Sequence, residues 1–178
     1  MCSSSNVNVR QRSFSDRLIR DVERGEQRDG NIRYMMLRPD VLMGTFTELP
    51  AAHRKAALDA LFRSALANGG KSVRAYQDGG SNDPFTLMET MKTTAAQLGW
   101  GVWEFSYSED GERLDLEVIN SPFASGFGVS ELPVCHAIKG LFQAMGPVVL
   151  GTNISVEESQ CSSQNISLNR CIFSMNKF

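Results

Sequence analysis

Apolar positions along the chain follow two rhythms. Between residues 49 and 66, Ala52, Ala56, Leu58, Leu61, Phe62, Ala65 and Leu66 recur at helical spacing. Pro50 suits the first turn of that helix. Asn68-Gly69-Gly70 is expected to end it, because glycine supplies a left-handed cap, and residues 71–76 then read as a second helical piece. Residues 84–98 repeat the rhythm with Leu87, Met88, Met91, Ala95 and Leu98, and residues 132–145 give a further helix beginning near Pro133. Elsewhere the period is two. The run G-W-G-V-W-E-F-S-Y-S over residues 99–108 reads as a strand, with Trp103, Phe105 and Tyr107 on one face and Trp100 on the other. L-D-L-E-V-I over residues 114–119 begins as apolar/acidic alternation and reads as a half-buried strand. Runs at 32–37 and 41–46 are expected to pair as a hairpin around a turn at Arg38-Pro39-Asp40. Residues 148–151, 154–158 and 170–175 read as the last strands, and residues 120–130, rich in Gly, Ser and Phe, as a loop.

The order of strands, helices, strands, helix, strands predicts an α+β fold, an antiparallel sheet with helices packed on it. Residues 1–29 are polar, with one short helical pattern at 15–22 capped by Ser15, and are read as a flexible lead-in. Residues 30–178 are read as one domain.

Composition narrows the class. Hydrophobic residues make up 42% of the 178 positions and charged residues 21%, ordinary values for a soluble globular protein. A net charge of -2 leaves no electrostatic footprint for nucleic acid. No apolar run approaches the roughly eighteen residues that span a bilayer, and the N-terminus lacks the apolar core of a signal peptide. The expectation is a cytoplasmic protein with neither a nucleic-acid nor a membrane partner. In that compartment thiols stay reduced, which sets disulfides aside and makes the N-x-S sequences at Asn153 and Asn165 inert.

Candidate chemistry concentrates near the C-terminus, in E-E-S-Q-C-S-S-Q-N-I-S-L-N-R-C-I-F. Glu158 and Cys161 lie three apart, close enough to reach one ion. Cys171 comes from the next strand and Cys135 from the preceding helix. These four side chains match the ligand types of a tetrahedral zinc site. Spacing alone favours buried thiols over a metal site, since no C-x-x-C pair is present and cysteine is often buried. Adjacent helical residues point about 100° apart, so Cys135 is favoured over His136 as the residue facing such a site. The aromatic residues Trp100, Trp103, Phe105, Phe123 and Phe127 are core candidates that could also line a pocket for a flat apolar ligand. Neither phosphate-binding glycine motif occurs, nor a nucleophile elbow. Nothing assembles into nucleophile, base and orienter, which points to a binding module in preference to an enzyme.

Five blocks together resemble the 4-vinyl reductase domain family: G-W-G-V-W-E, N-S-P-F at 120–123, P-V-C at 133–135, V-L-G at 149–151, and E-x-x-C…C-I-F at 158–173. The resemblance runs from about residue 98 to the C-terminus. It implies a compact α+β unit shared with subunits of the vesicle-tethering TRAPP complex, often dimeric, and a small-molecule-binding role. It also implies zinc held by Cys135, Glu158, Cys161 and Cys171. The segment between the last two cysteines departs from the family in lacking glycine, so Asn165 or Asn169 is expected at the left-handed turn position. The resulting expectation is a cytoplasmic, zinc-containing, homodimeric module that binds a small hydrophobic ligand, aromatic or tetrapyrrole-like, as sensor or carrier. The alternatives are an accessory protein or reductase for tetrapyrrole vinyl groups, and a protein-interaction scaffold.

Overall fold

The computed structural model of the protein describes residues 13–178. They fall into two units that divide between Met35 and Met36.

In the first unit the stretch expected as a lead-in carries regular structure from Ser13 onward. Helix α1 (Phe14–Arg17) is a single turn closed by a capping box: the Ser13 hydroxyl accepts the Asp16 N–H and the Asp16 carboxylate accepts the Ser13 N–H. Three short strands follow, β1 (Ile19–Asp21), β2 (Glu26–Asp29) and β3 (Ile32–Tyr34), paired antiparallel in sequence order. Arg17 forks onto both carboxylate oxygens of Asp29, and Phe14 meets Tyr34 edge to face at 5.0 Å. Among the described residues, charge pairs and an aromatic contact join the helix and strands of this unit, and its strands carry no apolar period to read. The run expected at 32–37 ends as a strand at Tyr34.

The second unit is built on a four-stranded antiparallel sheet of β4 (Val102–Tyr107), β5 (Arg113–Ile119), β6 (Ile154–Gln160) and β7 (Arg170–Lys177), in the spatial order β4-β5-β7-β6. Alternation puts Leu114, Leu116 and Val118 of β5 on one buried face, and cross-strand register puts Cys171, Phe173 and Met175 of β7 beside them. Helix α6 (His136–Val149) packs on that face against β6 and β7, and helix α3 (Ala51–Asp78) packs over α6. Helix α4 (Pro84–Leu98) sits against β4, with Asp83 capping its first turn and Gly99 (φ 75°) its last. Helix α2 (Pro39–Thr47) packs on α5 (Pro122–Phe127). The α+β architecture with helices on an antiparallel sheet is the one the sequence predicts.

Four elements differ from expectation, each for a physical reason. Residues 41–46, expected as a strand, lie in α2. Pro39 stands at its start, and the buried pair Met43 and Phe46 are three apart, which is a helical spacing that a six-residue apolar run cannot distinguish from a strand. Helix α3 does not stop at Gly69-Gly70. A Cβ at residue 69 would stand 2.7 Å from Leu141 Cδ1, and one at residue 140 would stand 2.5 Å from the carbonyl oxygen of Phe62. These glycines are where α3 and α6 approach closely, so Gly69 is a contact surface and not a cap. Residues 148–151 do not form a strand, since α6 continues to Val149 with Phe142, Met145 and Val149 all buried, even with Pro147 in its last turn. Residues 120–130 hold α5, announced by a Ser-Pro pair in which Ser121 accepts the Ala124 N–H and Pro122 opens the helix.

Candidate metal centre and the adjoining cleft

Three elements converge on one buried point. Cys135 stands at the N-cap of α6. Glu158 and Cys161 come from β6 and the turn after it, and Cys171 from β7 opposite Val118. In a regular strand, residues three apart face opposite sides. Here β6 carries a register shift between Glu158 and Gln160, pairing Glu158 with Phe173 and Gln160 with Ile172 so that Ser159 is extra. That bulge turns Cys161 to the same side as Glu158. Past it the chain turns back through a 3-10 helix (Ile166–Leu168), and Asn169 takes the left-handed position with φ 43°. This is one of the two asparagines expected to replace the missing glycine, and it delivers Arg170 and Cys171 into β7.

The ligand atoms of Cys135, Glu158, Cys161 and Cys171 all lie within 4.8 Å of one another, and all four residues are buried. The sulfur–sulfur distances are 3.6 Å for Cys135–Cys171, 3.8 Å for Cys135–Cys161 and 4.0 Å for Cys161–Cys171. These thiols are free rather than bonded to one another. The Cys135 N–H donates to Glu158 Oε2 at 3.1 Å, while Glu158 Oε1 is buried with no hydrogen-bond partner. A buried carboxylate oxygen left without a partner is costly, and here it points to a group that the protein chain itself does not supply. Burial and the neighbouring Cys161 push the Glu158 carboxyl up to about 9. The Cys135 thiol is also raised, by the other two thiols and by burial. Cys171 moves the other way through its contacts with the Cys135 and Cys161 thiols and with the hydroxyl and N–H of Ser162. Crowding four such groups together out of water disfavours their charged forms unless a cation stands among them. The residues fit a metal ion.

His136 does not join the cluster. Its Nε2 lies 3.5 Å from Asp59 Oδ1 on α3, and burial pushes its imidazole below the ordinary range against the pull of Asp59. His136 instead lines a cleft of about 710 Å³ beside the cluster. Leu58, Phe127, Val129, Leu132 and Pro133 supply its apolar lining, and Lys139, Glu157 and Glu158 contribute polar groups.

The five aromatic candidates do not share one cavity. Phe127 lines this cleft. Phe105 lines a second groove of about 440 Å³ with Met88 and Tyr107. Trp103 and Phe123 are buried in the core, and Trp100 meets Phe123 edge to face at 5.0 Å. Sequence reasoning did not single out Leu58, Val129 and Leu132 for the cleft, nor Ser121 and Ser162 beside the sulfurs. Only Ser121 had a local signal, the Ser-Pro helix start.

Comparison with solved structures finds the phenol-responsive sensory domain of the transcription activator PoxR, solved with phenol. It aligns at a TM-score of 0.75 with 17% identity, over 92% of this chain and 86% of that one. This chain shares its fold. A trafficking protein particle complex subunit 3 from Naegleria fowleri, covalently bound to palmitic acid, aligns at 0.56 with 13% identity over 78% of this chain and 93% of that one. A vinyl-4-reductase family protein from Methanocaldococcus jannaschii aligns at 0.48 with 16% identity over 83% and 99%. No family model and no curated protein matches the sequence. No helix among the described residues is long and apolar enough to cross a membrane.

Proposed function

We propose that this chain is a small-molecule-binding module whose last hairpin is fastened to α6 by a structural zinc ion, and whose cleft takes a small, largely apolar ligand. The observation that carries the reading is the position of Glu158, which belongs both to the buried ligand set and to the wall of the cleft. Metal–sulfur bonds of about 2.3 Å in a tetrahedron give sulfur–sulfur edges of about 3.8 Å, and the three distances here are 3.6, 3.8 and 4.0 Å. Three thiolates and one carboxylate fill the four positions of a structural zinc site and leave none open for catalysis. The cleft volume lies within the range of small-molecule sites. The two better-matching folds were solved with phenol and with palmitic acid, both small and mainly apolar.

As sensor or carrier the module would act in the cytoplasm as a homodimer, and light scattering giving the mass of a single chain overturns the dimer. Metal analysis of natively purified protein is expected to give close to one zinc per chain. Fewer than about 0.2 zinc per chain overturns the zinc reading, since such a site binds tightly at neutral pH. Native mass spectrometry of the same sample is expected to show a bound small molecule that is lost in Leu132→Trp, which fills the cleft. Retention of that molecule in Leu132→Trp would place it elsewhere in the protein.

A further inference from the structure

Two serines, neither one a candidate ligand, stand against the sulfurs of the cluster. Ser121 Oγ lies 3.2 Å from Cys135 Sγ, and Ser121 is only 3% exposed. Its oxygen also accepts the Ala124 N–H at 3.4 Å, as the cap of α5. Cys171 Sγ accepts the Ser162 N–H at 3.4 Å and has the Ser162 hydroxyl at the same distance.

A metal-bound cysteine has lost its proton, so in the loaded site only the serine hydroxyl can donate along the Ser121–Cys135 contact. With the Ala124 N–H occupying one lone pair of the serine oxygen, its proton is left free to turn toward the sulfur. Three thiolates and a carboxylate carry four negative charges against the two positive charges of a divalent ion. Donors to the thiolates offset that excess and fix the direction of the sulfur lone pairs.

We propose that Ser121 is a positioning residue of the metal centre, holding the Cys135 thiolate with its hydroxyl while its oxygen caps α5, and that Ser162 does the same for Cys171 through its amide and hydroxyl. This inference rests on the metal reading given above. It also joins the centre to α5, the helix whose Phe127 lines the cleft. The tie between the metal and that wall of the cleft is therefore a hydrogen bond as well as the Glu158 carboxylate.

The experiment uses the full chain loaded with zinc, or with cobalt(II) as a spectroscopic probe. Zinc affinity is measured by chelator competition, and the cobalt(II) form by its thiolate-to-metal charge-transfer band. Ser121→Ala is expected to weaken zinc binding about tenfold or more, the range seen when partners of metal ligands are removed, and to shift the cobalt band. Ser121→Thr keeps the hydroxyl and is expected to restore both. Ser121→Gly separates the two roles, because glycine serves nearly as well as a helix cap but has no hydroxyl. It should lose affinity as Ser121→Ala does, and it stands in for that variant if Ser121→Ala does not fold. Ser162→Ala keeps the amide bond to Cys171 and should lose less. Affinity within twofold of wild type and an unshifted band in Ser121→Gly overturn the role of Ser121. A wild-type protein that takes up neither ion overturns the metal reading itself, an outcome distinct from a loaded wild type that the variants match.

Discussion

Glu158 shows most directly what a single residue contributes. Its Oε2 is fixed by the Cys135 N–H while its Oε1 has no partner inside the protein. With its carboxyl pushed up to about 9 by burial and Cys161, metal-free protein holds it protonated at neutral pH. Glutamine is then close to isosteric and isoelectric with it. Glu158→Gln is therefore expected to leave the melting temperature of the metal-free protein within about 3 °C of wild type, a change of about 1 kcal/mol for a chain of this size. The same variant should lose stoichiometric zinc, because a neutral amide is a poor replacement for a carboxylate ligand. Paired thermal melts and metal analysis on apo and loaded samples check this. A variant that still retains one zinc per chain removes Glu158 from the ligand set. Cys135, Cys161, Cys171 and Glu158 were legible in the sequence as a candidate set by residue type and spacing, and the family resemblance pointed to the same four. The serines beside them were not, because a serine hydroxyl carries no signal until something stands next to it.

Among the elements, close approach decides more than propensity. Gly140 lets α6 come within contact of the α3 backbone, and a Cβ there would meet the Phe62 carbonyl oxygen at 2.5 Å. Gly140→Ala is expected to destabilise the protein by about 1–3 kcal/mol through forced separation of the helices. The melting temperature should fall by roughly 2–12 °C. Gly69→Ala should cost less, because its nearest neighbour is the flexible end of Leu141 and alanine favours helix by about 1 kcal/mol. Equal melting temperatures for wild type and Gly140→Ala would show that the two helices can part without loss. The same logic explains where local signals misled. Gly69-Gly70 and Gly146-Pro147 have the composition of helix ends, yet α3 and α6 pass through them because packing on the far side outweighs local preference. The strand bulge at Ser159 was equally hidden, since whether E-x-x-C faces one way depends on register with β7.

For the whole molecule, the candidate centre joins parts of the second unit that are distant in sequence: the start of α6, the end of β6 and the start of β7. Removing the metal is expected to loosen these ends together. Hydrogen exchange on apo and loaded protein should show lost protection near residues 130–137 and 158–171, and little change in α4 and the β4–β5 hairpin. Uniform change across the second unit would mean that the ion supports the whole fold and not this junction. The cleft lies over the same junction, lined from α3, α5, the segment before α6, the start of α6, and β6. Its walls come from five stretches, none of which looks like a binding motif alone.

The sequence by itself determined the fold class, the α4 helix, strands β4 to β7 in outline, and the four residue types of the metal set. Hydrophobic period and ligand chemistry are local properties, readable one segment at a time. The tertiary structure alone decided that α3 runs unbroken, that residues 41–46 are helical, that the aromatic residues divide between core, cleft and groove, and that two serines meet the cysteine sulfurs. Each of these depends on which surfaces approach within a few ångströms across long stretches of chain, and no single stretch of sequence encodes that distance.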